Sequence, residues 1–248
     1  MEVKKVRDLT LIKIDEKKTM VVACDSCGSV GMKEGDVLKV EPFYTGRFTA
    51  RVALLEVLCT GAQVITVVDA ICNEMKNTGE EIIRGIETEL RLAGLKEVVL
   101  TGSTEENFPT VSTALGITVI GIIETHALKV NNVREDSIIV SIGLPRVGEE
   151  VKLNIDEDIV YYSDVETLLQ TEGVHEIIPV GSKGILNEAY QLAKFNCMKL
   201  KINENINVDI NKSAGPSTVV IAAITEKALE NIKHLKNFNV IGTMISII

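Results

Sequence analysis

The chain has 248 residues, of which 46% are apolar, 25% charged and 4% aromatic, the composition of a folded protein with one large or two modest domains. Its 26 Lys and Arg against 35 Asp and Glu leave a net charge of −9, which argues against nucleic acid as a partner because phosphates repel an acidic surface. No apolar run approaches the roughly 18 residues that cross a bilayer, and the opening MEVKKVRDLTLIKIDEKK lacks the apolar block of a signal peptide. A cytoplasmic protein without membrane partners is the expectation.

Apolar β-branched runs alternate with helical patterns. The first clear strand is Thr19 to Ala23, ending at CDSCGSVG; a helix follows over Thr49 to Cys59 and stops at Gly61. Ala62 to Val68 reads as a strand running into Asp69. Thr78–Gly79–Glu80–Glu81 has the pattern of a capping box, opening a helix with Ile82, Ile83, Ile86 and Leu90 at helical spacing and Gly94 at its end. Strands at Glu97 to Leu100 and Ile117 to Ile123 enclose the polar loop TGSTEENFPT. A further strand, Ser137 to Ile142, leads to GLPRVGEE, and the domain boundary is expected near Asn131 to Glu150.

Beyond it, Asp164 to Leu169 is helical, Glu176 to Val180 extended and Lys183 to Phe195 helical. Strands at Met198 to Ile202 and Thr218 to Ile224, a helix from Thr225 to Leu235 and a strand from Val240 to Ser246 complete the chain. The economical reading is two α/β or α+β halves.

Asp25, Asp69, Glu105 and Glu124 each follow a strong apolar strand. If these strands share a sheet, the four acids converge on one edge, and hard oxygen donors without His or paired Cys suit Mg²⁺ with phosphate oxygens completing its shell. Polar residues also end strands simply because loops are wet. Neither a GxxxxGK[ST] loop nor a GxGxxG turn occurs. Gly28 and Gly31 in CGSVG, and Gly102 in TGST, still allow backbone amides to approach phosphate.

Five cysteines do not make a disulfide scaffold, and Cys59, Cys72 and Cys197 lie in apolar surroundings where a thiol is a small hydrophobe. Cys24 and Cys27 form a lone CxxC, read as a redox pair, half a zinc site, or two half-buried thiols flanking Asp25. His126, His175 and His234 lack a matching nucleophile motif, leaving His126 as a weak acid–base candidate. Lys183, in VGSKGIL at an apparent helix start, gains nothing from the helix dipole and so fits either a phosphate-holding role or plain surface.

In this order, CDSCGSVG, TARVALLEVLCTGAQVITVVDAI, VVLTGSTEENFPT, GITVIG, VGSKGILNEAYQLA and SAGPSTVVIAAI resemble the ATP-binding family of aminoimidazole ribonucleotide synthetase over residues 19 to 245. That family includes thiamine-monophosphate kinase, and the likeness looks closest to its short branch with α-ribazole kinase.

The resemblance implies a two-domain PurM-like fold: an N-terminal α/β domain with a mixed sheet over 1–135, and a C-terminal α+β domain over 136–248. It implies a homodimer formed through the N-terminal sheets, and ATP with Mg²⁺ as cofactors. Its implied site places Asp25, Asp69, Glu105 and Glu56 at metal positions. It places Asp25, Ser26, Gly28, Ser29, Thr101, Gly102, Ser103, Thr104 and Asn107 around the nucleotide, and Glu105 and Lys183 in catalytic roles.

Ser103 stands where thiamine-monophosphate kinase has a metal-binding Asp, with Glu105 or Glu106 as compensation, and Lys183 replaces an acid. Glu56 also fits a buried acid meeting Arg51 or a dimer neighbour. The implied activity is phosphoryl transfer from ATP to a small nucleoside-like acceptor such as α-ribazole. The alternatives are a thiamine-monophosphate kinase-like enzyme, or a non-catalytic nucleotide-binding relative that kept the scaffold.

Overall fold

The alternating charge of the first thirteen residues folds as a hairpin of β1 (Glu2–Val6) and β2 (Leu9–Lys13). The first expected strand begins at Thr19; two more precede it, because a strand with one apolar face reads as mere surface charge when its partner is unknown. The computed structural model describes residues 2–154 and 156–247. They form two compact units, Met1–Val57 with Ala62–Thr125, and Leu58–Gly61 with His126–Ile248. The chain thus passes into the second unit at His126, ahead of the expected 135/136 boundary.

In the first unit β3 (Lys18–Gly28) is followed by the two-residue strands β4 (Val30–Gly31) and β5 (Leu38–Lys39), then helix α1 (Pro42–Leu58). Next come β6 (Gln63–Ile71), α2 (Glu80–Leu92), β7 (Val99–Ser103) and β8 (Ala114–Glu124). The main sheet has the order β1-β2-β3-β8-β6-β7, and it is mixed: β6 and β7 run parallel, the other pairs antiparallel.

Alternation gives this sheet two unlike faces. Val21 and Ala23 on β3, Leu115, Ile117 and Val119 on β8, and Val67 and Ile71 on β6 are buried. On this face a Cβ at Gly121 would come within 2.6 Å of Val57 in α1, so the helix covers it closely. The opposite face carries Met20, Val22, Ile120 and Ile122, all partly exposed.

Helix α1 starts seven residues before the expected Thr49, at Pro42, whose fixed φ suits the first helical turn. The helices α1 and α2 touch through their backbones: a Cβ on Gly46 would lie 2.1 Å from the Ile82 carbonyl oxygen, and one on Gly85 2.0 Å from that of Phe43. Between them Glu89, 1% exposed, accepts from Arg47 Nε at 3.0 Å, with Arg51 Nη1 3.7 Å away.

The capping box expected at Thr78 does not form. The Thr78 hydroxyl donates to Glu74 within a π-helical turn, Met75–Gly79, that precedes α2, and Gly79 caps the helix without a side-chain bond. Cys72 and Cys197 are exposed rather than packed as hydrophobes; of that trio only Cys59 is buried. Cys72 follows the last residue of β6, and Cys197 takes a positive φ of 56° in the turn after a helix.

The second unit pairs a sheet with helices on its own core. Its elements are β9 (Ser137–Ile142), α3 (Tyr162–Gln170), β10 (Val174–Pro179), α4 (Gly184–Phe195), β11 (Met198–Ile202), β12 (Val220–Ile224), α5 (Glu226–Ile232) and β13 (Asn239–Ser246). The strands are antiparallel in the order β10-β12-β9-β13-β11. Helix α4 packs Ile185, Ala189 and Leu192 against Ile178, Ile221 and Ile139. The Thr225 hydroxyl caps α5 by accepting from Ala228 N–H.

Candidate functional site

Asp25 and Asp69 do not follow their strands; both lie inside them, in β3 and β6. Register brings them into line. Each is paired with Ile117 of the intervening β8, and Asp69 is paired on its other side with Gly102 of β7. One row thus runs Asp25, Ile117, Asp69, Gly102 across four strands, on the face that the helices cover. With neighbouring strands about 4.8 Å apart, the two aspartate backbones stand roughly 10 Å from one another.

The Asp69 carboxylate occupies the space above Gly102: a Cβ there would lie 2.1 Å from Asp69 Oδ1 and 2.3 Å from Oδ2. Only glycine leaves room for it. Asp69 is 4% exposed, and burial pushes its carboxyl above the usual range, opposed by the Ser103 N–H that it accepts. Half-buried Asp25 is raised too, first by burial and then by the like charge of Asp8, against the Ser26 N–H. Neither has an ion-pair partner among the described residues. Two desolvated carboxylates without a cation are an environment poised to take one.

Glu124 falls elsewhere. It pairs with Lys18 at the far end of β3, since β8 runs antiparallel to β3 and β6, so the expected convergence of four strand-end acids reduces to the Asp25–Asp69 row. Glu105 lies two residues beyond β7, half-buried in the loop, where its Oε1 accepts the Asn107 N–H at 2.7 Å. Glu56 is half-buried in α1. Among the described residues no three His, Cys, Asp or Glu gather to hold a metal ion. Asp25, Asp69, Glu105 and Glu56 therefore do not form one ligand group.

The expected nucleotide residues group along the same edge. Gly28 ends β3, and Ser29, at φ 60°, turns the chain, its N–H donating to the Thr113 carbonyl at 2.9 Å. Thr101, Gly102 and Ser103 are exposed on β7, and the Thr104 hydroxyl donates to Glu106 Oε1, which also accepts the Met75 N–H. Ser26 is exposed on β3. A depression of about 370 Å³ is lined by Cys24, Ser26, Val68, Ala70, Gly116 and Thr118 as well as by the row itself; those six alternate with the row and so turn to the opposite face of the sheet, and a second depression, of about 470 Å³, adjoins it at Ala70 and runs along Ser103, Glu105 and Phe108.

Lys183 belongs to the second unit, exposed at the N-cap of α4, with Gly184 at φ 80° behind it. The CxxC is decided by strand geometry. Residues three apart on a strand face opposite sides, so Cys24 and Cys27, both within β3, neither pair nor share a metal. Burial raises the Cys27 thiol, against a hydrogen bond with Thr49.

Two buried anchors were not apparent in the sequence. Asp36, 5% exposed, accepts the Thr113 N–H and hydroxyl at 2.6 and 2.7 Å, the Ser112 hydroxyl at 2.9 Å and the Lys33 N–H at 2.8 Å. Burial by itself would raise its carboxyl, but these bonds win and hold it below the usual range. Asn73, fully buried, donates to Thr110 Oγ1 and the Ser112 carbonyl and accepts the Ala114 N–H. Together they fix the loops on both sides of the site. Because the Asp36 pKa is depressed, its stabilisation is present above the unfolded value of 3.8 and lost as pH falls through the folded one. Asp36→Asn is expected to cost about 2 kcal/mol near neutrality, read by urea unfolding, with the gap to wild type closing in acid.

Residues 6–123 match the family described as AIR synthase related protein, N-terminal domain. The solved structures of this fold class agree over the length of the chain. PurL of Thermotoga maritima complexed with ATP superposes with a TM-score of 0.70 at 14% identity, covering 99% of this chain and 44% of that one. AaThiL complexed with AMPPCP and TMP gives 0.66 at 11% identity, covering 96% and 84%. HypE of E. coli, a hydrogenase maturation protein, gives 0.66 at 14%, covering 91% and 80%.

The chain spans less than half the length of the PurL chains it matches. The comparison with curated proteins finds no match. The expected two-domain, PurM-like α/β fold is borne out. No helix among the described residues is long and apolar enough to cross a membrane.

Proposed function

We propose that the protein is an ATP-dependent phosphotransferase acting on a small hydroxyl-bearing acceptor. The observation that carries this reading is the Asp25–Asp69 row: two unneutralised carboxylates across one strand, Asp69 buried and Asp25 half-buried, with a glycine cleared beneath Asp69. That donor set fits Mg²⁺ carried on a polyphosphate better than a free ion, and Asp25 and Asp69 would hold it. The ion, when bound, neutralises charge on the phosphates.

The acceptor oxygen attacks the γ-phosphorus, the bond to the β–γ bridging oxygen breaks, and ADP leaves. The acceptor proton passes to Glu105, whose second carboxylate oxygen is not engaged by the described residues. Such a reaction is catalysed mainly by placement and charge. Lys183 is the residue that the resemblance assigns to the transferred phosphoryl group, and Lys183→Ala should lower turnover while leaving the melting temperature unchanged.

For the acceptor we propose a nucleoside of the α-ribazole kind, by resemblance to that kinase branch. The test is direct: purified protein, ATP, Mg²⁺ and α-ribazole followed by ³¹P NMR should yield ADP and a phosphomonoester. Transfer to a different hydroxyl acceptor would overturn the substrate alone. A second reading, nucleotide binding without transfer, is favoured by the lack of a three-acid metal group among the described residues. Tight Mg–ATP binding with no transfer across a panel of acceptors would establish it in place of the first.

A homodimer belongs to the same proposal. The uncovered sheet face, with Met20, Val22, Ile120 and Ile122, is apolar enough to be covered by a second copy. Ile120→Glu is expected to halve the mass seen by light scattering without unfolding the first unit. An unchanged mass would place the contact elsewhere, and a wild-type monomer would remove it.

A further inference from the structure

The edge strands of the two larger sheets are β1, β7, β10 and β11. An edge strand offers a row of unpaired N–H and C=O groups to any other chain, and proteins blunt such edges with charge, proline or a bulge. Three of these four are blunted. β1 carries the exposed Glu2, Lys4 and Lys5, and β11 the exposed Lys199 and Lys201. β10 has a register shift between Val174 and Glu176 and ends on Pro179. β7 has none of these devices: Val99–Ser103 holds no charge and no proline, and its register with β6 is unbroken.

The free side of β7 follows from its bonded side. In a parallel ladder one residue turns both backbone groups to one neighbour, and the next turns them to the other. The Val99 carbonyl accepts the Thr66 hydroxyl at 2.9 Å, and the Ser103 N–H donates to Asp69, both partners on β6. Val99, Thr101 and Ser103 therefore face β6. Leu100 and Gly102 turn their N–H and C=O outward, where no described residue bonds to them. Val99 is 65% exposed, and Thr101, Gly102 and Ser103 are exposed with it, so the approach is clear.

The ends of β7 differ in charge. Lys96 and Glu97 precede it and offset one another. Glu105 and Glu106 follow it, and no cation pairs with either among the described residues.

We infer that β7 is a docking edge for an extended segment of a partner protein, which adds as a further strand and sets basic side chains against Glu105 and Glu106. In strand addition the backbone bonds supply affinity, here through Leu100 and Gly102, and complementary charge supplies selectivity. This surface differs from those described above. Its groups point outward in the plane of the sheet, whereas the Asp25 and Asp69 carboxylates rise from one face. It also lies two strands from Ile120 and Ile122 on β8. The inference goes beyond phosphotransfer and does not depend on it.

Residue-resolved hydrogen exchange of the full chain, followed by NMR, tests the edge with three synthetic peptides: KRVTVTV, the same peptide N-methylated at every amide, and EDVTVTV. KRVTVTV should slow exchange at Leu100 and Gly102 about tenfold, while Val99, Thr101 and Ser103 change little. The N-methylated peptide should have no effect, and EDVTVTV should bind more weakly. Glu106→Gln should weaken KRVTVTV about two- to fivefold, the loss of one exposed ion pair, since the amide oxygen can still accept the Met75 N–H that Glu106 holds.

Unchanged exchange at Leu100 and Gly102 with millimolar KRVTVTV, or equal protection by the N-methylated peptide, overturns the inference. Equal protection by EDVTVTV overturns the basic partner. Protection of both amides in the free protein, together with a doubled mass, would give the edge to a second copy instead, and protection by Mg–ATP alone would give it to the nucleotide.

Discussion

Gly85→Ala is expected to destabilise the first unit by about 3 kcal/mol, the upper part of the range for overpacking, and to lower its melting temperature by roughly 10 °C. Two effects oppose one another. Alanine in a helix interior is favoured over glycine by about 1 kcal/mol, which predicts a more stable protein if space allows. Space does not allow it: the new Cβ would lie 2.0 Å from the Phe43 carbonyl oxygen and 3.0 Å from the Arg47 nitrogen. Those atoms are backbone, so relief requires α1 and α2 to separate and Glu89 to lose its buried contact with Arg47. The clash therefore outweighs the propensity. Gly181→Ala, where a Cβ meets nothing within 4 Å, serves as the comparison and should leave the melting temperature within a degree or two. A Gly85→Ala protein that melts with wild type would mean that the helices do not cross as described.

Much of this architecture was legible because the periods are strong. Ile82, Ile86 and Leu90 recur as a helix must, and VITVV and ITVIGII read as strands. What failed did so for local reasons. CDSCG resembles a loop by composition, yet it completes β3, because eleven consecutive residues of that strand find partners on β8. The strand-end argument therefore does not hold for Asp25, which lies inside β3. The register with Ile117 is what aligns it with Asp69, and register is a property of pairs that one sequence does not display. Thr78 carried the right letters for a cap, but Glu74 offered its hydroxyl a nearer partner. Asp36 was invisible because three of its four hydrogen bonds come from residues 76 and 77 positions away. Its only local signal was an acid directly after Gly35 in a turn.

Asp69→Asn is expected to raise the stability of the ligand-free protein and to weaken Mg²⁺-dependent ATP binding about ten- to hundredfold, the loss of one charged contact. Both effects have one cause. Burial makes the ionised carboxylate unfavourable in the folded chain, so its folded pKa exceeds the unfolded 3.8. A group shifted in that direction stabilises the fold fully below pH 3.8, and that stabilisation is lost as pH rises through the folded value. At neutral pH the carboxylate is therefore a cost, which the amide removes while Asn Oδ1 still accepts the Ser103 N–H. The same burial leaves the charge waiting for a cation, and Mg–ATP binding should strengthen as pH rises and the proton ceases to compete. Asp25→Asn should repeat the pattern more weakly, since Asp25 is the more exposed of the two. Thermal shift across pH 4 to 8, with and without Mg–ATP, reads both halves. An Asp69→Asn protein that melts below wild type when free, yet is stabilised equally by Mg–ATP, would show that this carboxylate supports the fold and holds no ion.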